Sequence, residues 1–122
     1  MNLYKTRSFA RIAAKVGITE AMLKKTAEEI SQGLIHADLG GNVFKQRVAP
    51  PERGQRGGGH IVVVIRPRED RYIFLHCYLK KDQENIGPGE ENAFLELGRI
   101  FSDLTEEDIK AAALSGLLEE ML

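Results

Sequence analysis

The spacing of apolar residues changes period twice along the chain, which confines it to folds with one sheet region set between two helical ones. Apolar side chains recur at Phe9, Ile12, Ala13 and Val16, and again at Leu23, Ala27, Ile30 and Leu34. This is the rhythm of helices that bury one stripe. Gly17 ends the first, Thr19 caps the second, and Gly33 supplies a left-handed stop near its end. After Gly40-Gly41 the rhythm shortens to two, with β-branched and aromatic residues over Val43 to Ala49, His60 to Arg66 and Tyr72 to Leu79. Pro50-Pro51 stops the first of these strands, and Pro67 to Asp70 is short enough to join the other two as an antiparallel hairpin. Beyond Gly87-Pro88-Gly89 the helical period returns at Phe94, Leu97, Phe101 and Leu104, and Thr105 with Asp108 opens a last helix carrying Ile109, Ala112, Ala113 and Leu117. With a short strand at Leu3 to Thr6, the predicted order is β-α-α-β-β-β-α-α. That order predicts a single α+β domain over residues 1–122, its antiparallel sheet covered by helices on one face and open to a ligand on the other.

Alternation along the strands sorts residues between the two faces. Lys45 and Arg47 share a face with Val43, and the same side is expected to carry Ile61, Cys77, Leu79 and Lys81. Phe44, Val48, His60, Val62, Phe74, His76 and Tyr78 make the opposite set, which reads as core. Pairing across strands depends on register, which the sequence leaves open.

The chain has 122 residues, a net charge of −1 and one cysteine. A domain of that size can build its own core without disulfides. The unpaired Cys77 fits a reducing compartment, no secretory leader pattern precedes the fold, and the longest aliphatic run, Ile61 to Ile65, is far too short for a membrane span. These features point to the cytoplasm and away from membranes. Near-neutrality argues against a polyanionic partner, but the charge is unevenly distributed. Residues 1–41 carry six Lys/Arg and four Asp/Glu, residues 42–81 nine and three, and residues 82–122 two and eleven. The basic middle is Lys45, Arg47, Arg53, Arg56, Lys80 and Lys81, with Tyr72, Phe74 and Tyr78 interleaved. Such a group can bind phosphates, and rings facing outward can stack bases. Protected strand edges and ordinary packing are the plainer roles for the same residues.

The stretch Gly54 to Gly59 lacks the Gly-Lys-Ser/Thr ending of a phosphate loop and leads into a strand, though Arg53 and Arg56 could bring charge to a phosphate there. His36, His60 and His76 lack metal-ligand spacing, so neither a metal nor another cofactor is expected. His60 and His76 can approach each other across the hairpin, where an imidazole near cations could serve as acid or base. Cys77, inside a strand, reads as a buried small hydrophobe. Glu106, Glu107, Glu119 and Glu120 read as a solvated helix face.

Three segments in this order resemble the RelE/HigB-type toxins of bacterial toxin-antitoxin pairs. They are Ala37 to Ala49 (ADLGGNVFKQRVA), the Gly54-Gln55-Arg56-Gly57-Gly58-Gly59 loop opening a strand, and Phe74 to Ile86 (FLHCYLKKDQENI). The resemblance runs from Tyr4 to about Leu118. It implies a RelE-like fold and a small cytoplasmic endoribonuclease that enters the ribosomal A site, cleaves messenger RNA and inhibits translation. A cognate antitoxin, often a helix-turn-helix DNA-binding protein, would hold it inactive. The implied chemistry is metal-independent attack of a ribose 2′-OH on the adjacent phosphate. Lys45, Arg47 and Lys80 match the family's catalytic cations, while Arg56 matches the basic residue before the glycines. Arg53, Lys81 and His60 join Arg56 as RNA-binding residues. Two positions depart from the pattern: Ile61 stands where many relatives have an arginine, and a tyrosine carried by some is missing near Ile86. Those departures keep a second reading open, a non-catalytic RelE-fold protein that binds an antitoxin-like partner or RNA.

Overall fold

A computed structural model of the protein describes residues 1–48, 58–80 and 86–121. Strand β1 (Asn2–Thr6) runs directly into α1 (Arg7–Val16), because the Thr6 hydroxyl accepts a hydrogen bond from the Phe9 amide at 3.1 Å and starts the helix. Gly17, at φ 83°, ends it. Thr19 caps α2 (Glu20–Ser31) in the same way through the Met22 amide, at 3.2 Å. The strands β2 (Ala37–Gly40), β3 (Val43–Val48), β4 (Gly59–Arg66) and β5 (Arg71–Leu79) follow, with a single 3₁₀ turn, Pro67–Glu69, between the last two. Helices α3 (Pro88–Ser102) and α4 (Glu106–Ser115) lead to β6 (Leu118–Met121). Thr105 and Asp108 form the expected capping box of α4.

The α+β class holds, with one six-stranded sheet in the order β2-β3-β4-β5-β1-β6. Its details differ from the sequence reading in three ways. The sheet is mixed, since β1 lies parallel to β5 and antiparallel to β6. Helices also cover both faces: Phe9, Ala13, Leu23 and Ala27 of α1 and α2 pack with Ile61, Val63 and Phe74, whereas Phe101 and Ile109 of α3 and α4 pack with Val43, Val62, Val64 and Ile73. The unbroken run Ile61 to Ile65 is the mark of a strand buried on both sides, and β4 is buried from Gly59 to Ile65. Finally, two short strands lie outside the predicted order. Strand β2 pairs with β3 across a turn whose central residues, Gly41 and Asn42, both have positive φ, as a tight hairpin requires. Strand β6 is Leu-Glu-Glu-Met, helix-favouring residues held extended by the ladder to β1, so Glu119 and Glu120 lie on a strand and not on a helix face.

A bulge in β5 changes which residues share a face. Val62 lies opposite His76, but Val63 lies opposite Phe74, leaving Leu75 as the extra residue. Phe74 therefore enters the core under α1 while His76, two positions later, turns to the opposite side, where the ring of Phe94 from α3 stacks on it. The buried Arg71 guanidinium ties the α3–α4 connection to the sheet, donating to the Leu104 carbonyl at 3.0 Å and meeting Glu106 at 3.4 Å. Among the described residues, no helix is long and apolar enough to cross a membrane.

Candidate functional site

Register decides what the basic strand pair faces. Arg47 lies opposite His60, which lies opposite Tyr78, so these three form one row across β3, β4 and β5. Lys45, Val62 and His76 form the next row. Residues directly opposite share a face, which places His60, His76 and Tyr78 beside Lys45 and Arg47, not in the core set predicted from alternation. Ile61, expected on the basic side, instead lies opposite Gln46 and is fully buried beneath the α1–α2 layer. The opposite assignments of His60 and Ile61 have one physical cause. A shift of one residue in the β3–β4 pairing exchanges both faces of β4.

Lys80 immediately follows β5, and its amide donates to the Gly58 carbonyl at 3.0 Å, closing that end of the β4–β5 pair. Its charge reaches His60 together with those of Lys45 and Arg47. Burial is the main reason that the His60 pKa falls to about 4, and the surrounding charges, Lys45 first, push it the same way. The imidazole is therefore neutral at pH 7, 6% exposed, and ringed by cations. Arg47 and Lys80 are exposed and Lys45 is half-buried. The structure thus brings together Lys45, Arg47, Lys80 and His60. Arg53, Arg56 and Lys81 lie outside the described residues.

Of the rings on this face, His76 and Tyr78 are weighed from the sequence as an acid–base and a stacking candidate, whereas His36 and Phe94 are not linked to it. His36 precedes β2, and its ring lies 5.3 Å from that of His60. From His60 the rings continue to Tyr78 at 5.4 Å, on to His76 at 5.9 Å and to Phe94 of α3 at 5.1 Å. Burial lowers the His76 pKa and raises that of Tyr78; Glu90 of α3 raises both. Three polar atoms of this row, His60 Nδ1, His76 Nε2 and the Tyr78 hydroxyl, are buried without a hydrogen-bond partner among the described residues. Buried polar groups are rarely left so, and three of the five such atoms among the described residues lie on this face, the others being on Glu69 and Arg71. The Gly41-Asn42 turn was the one local signal that could have revealed β2, and through it His36. Among the described residues, no group of His, Cys, Asp or Glu is arranged to hold a metal ion. Cys77 faces the core, and burial pushes its thiol up to about 12, as befits an inert side chain.

Cations on an exposed surface with a neutral imidazole among them are suited to a phosphodiester. A family model described as the RelE toxin of the RelE/RelB toxin-antitoxin system matches residues 1–121. No curated protein matches the chain.

Proposed function

Because the chain belongs to the RelE toxin family, the toxin component of a toxin-antitoxin pair, we propose that it is a cytoplasmic, ribosome-dependent endoribonuclease that cleaves messenger RNA at the Lys45–Arg47–His60–Lys80 face. The observation that carries this reading is the placement of His60 directly opposite Arg47, with Lys45 and Lys80 close enough to depress its protonation. In the proposed reaction the 2′ oxygen attacks the adjacent phosphorus, the bond to the 5′ oxygen breaks, and a 2′,3′-cyclic phosphate and a 5′-hydroxyl are left. Lys45, Arg47 and Lys80 hold the phosphate and stabilise the negative charge that grows on its oxygens. The unprotonated His60 takes the 2′ proton, and a lysine ammonium returns one to the 5′ oxygen. A bound phosphate offsets the smaller part of the His60 depression, that from the neighbouring positive charges, and so raises its pKa, while burial continues to hold it down. Arg53, Arg56 and Lys81, outside the described residues, are assigned to RNA binding on their charge alone. Ile61, where many relatives of the resembled family carry an arginine, lies in the core on the side away from Lys45 and Arg47, so this reading gives it no part in the chemistry. Its cognate antitoxin is the partner that keeps the toxin in check.

Induced expression without the antitoxin is expected to stop growth and leave cuts in translated messages. Lys45→Ala combined with Arg47→Ala should relieve both, with cleavage reduced about a hundredfold or more. Normal growth with soluble wild-type protein would favour the non-catalytic reading.

A further inference from the structure

The ring row that begins at Phe94 of α3 ends at His36, which is exposed, while His60 and Tyr78 are buried and Phe94 and His76 are half-buried. An exposed ring usually samples several positions. This one stands on a fixed backbone, because the side chain of Gln46, itself 6% exposed, accepts from the His36 amide at 2.9 Å and donates to the Leu34 carbonyl at 2.6 Å. Gln46 projects from the face of β3 opposite Lys45 and Arg47, so it braces the segment leading into β2 from behind. One side of the His36 ring leans on His60 at 43°, within reach of the charges of Arg47 and Lys45.

We propose that His36 is a stacking platform for a nucleobase of single-stranded RNA next to the phosphate held by Lys45, Arg47 and Lys80, with Gln46 as its positioning residue. The inference rests on the phosphate-binding reading of that face and adds to it a subsite for the base. Burial first, then Arg47 and Lys45, lower the His36 pKa, so the ring presents a neutral π-face at pH 7. A base can lie on it without a charge being desolvated, and the bracing by Gln46 reduces the ordering entropy that stacking must overcome. Stacking of this kind reads no base edge. It therefore tolerates any nucleotide and confers at most a graded preference for bases that stack strongly.

The test uses the full chain and a 2′-deoxy oligothymidine carrying one central 2-aminopurine, which lacks the attacking hydroxyl and loses fluorescence when its base stacks. Wild type should bind with saturable quenching. His36→Ala should bind about tenfold more weakly and without quenching, and His36→Phe should restore both. The salt dependence of binding should be the same in His36→Ala as in wild type, because no phosphate contact is removed, whereas Lys45→Ala should lower the slope by about one. Absence of quenching in wild type overturns the platform. So does a His36→Ala variant that binds and quenches like wild type, or a His36→Phe variant that fails to rescue. If in those cases Lys45→Ala still weakens binding and lowers the slope, the phosphate site stands and the base subsite alone is wrong. If Lys45→Ala also behaves as wild type, the phosphate reading falls with it.

Discussion

His60 couples the chemistry of the face to the stability of the fold. Its folded pKa of about 4 lies below the ordinary histidine value, so the unfolded chain binds the proton more readily. The stability this residue contributes is therefore fully present above about pH 6.5 and is lost progressively as the pH falls towards 4. His76, depressed chiefly by burial, acts in the same direction. Urea midpoints measured from pH 7.5 down to pH 4.5 should decline, and His60→Phe should flatten that decline. An unchanged pH dependence in His60→Phe would show that other groups set it. The residue types at the face were legible in the sequence, and so was the pairing of Lys45 with Arg47 on one side of their strand. The neighbour that faces them was not, because the sequence contains no statement of register. His60 and Ile61 are adjacent, and a single step in pairing decides which of them meets Arg47 and which enters the core.

Among the elements, α3 is the one that joins the core to the site. It rests on β3 at Gly98, where an added Cβ would collide with the Val43 side chain and sit 3.4 Å from the Gly41 carbonyl. One turn earlier, the same helix lays Phe94 over His76. Gly98→Ala should push the helix away from the sheet at a cost of about 1–3 kcal/mol, read as a lower urea midpoint with an unchanged m-value. A midpoint equal to wild type would mean that Val43 yields without strain. The four helices were readable, chiefly from their caps, since Thr19, Thr105, Asp108 and Gly17 act locally whatever surrounds them; the stripes were less exact, as Leu34 and Leu117 lie beyond α2 and α4 and, like Leu97, are exposed. Strands β2 and β6 were not, because their four-residue sequences have no period to detect and each is held extended by a partner. The Leu75 bulge was equally invisible, and with it the separation of Phe74 from His76.

At the scale of the whole molecule, the net charge of −1 averages over a basic pair and an acidic C-terminal region that the fold splits: Glu90 of α3 reaches the face of His76 and Tyr78, whereas Glu119 and Glu120 are carried away from it. The basic pair lies on β3, while Glu119 and Glu120 lie on β6, at the other edge of the sheet. Three strand spacings separate β6 from β4, about 14 Å at the usual distance between strands. That exceeds the screening length of about 8 Å at physiological salt. Replacing Glu119 and Glu120 together with glutamine should leave the salt dependence of ribosome binding unchanged, whereas Lys80→Ala should reduce its slope by about one. A slope altered by the glutamine pair would show that the acidic edge is felt at the basic face. The charge asymmetry was fully legible in the sequence. Its spatial meaning came from the strand order, which brings the acidic strand next to β1 and far from β3.

That strand order has a temporal side as well. Strand β1 emerges from the ribosome before either of its neighbours has been made: Leu3 comes to lie between Tyr72 and Met121. Its first ladder must wait for β5, and its second flank closes only with Leu118–Met121. A variant lacking Leu118–Met121 therefore leaves β1, in place of β6, as the open edge of the sheet, an adhesive surface of the kind that aggregation exploits.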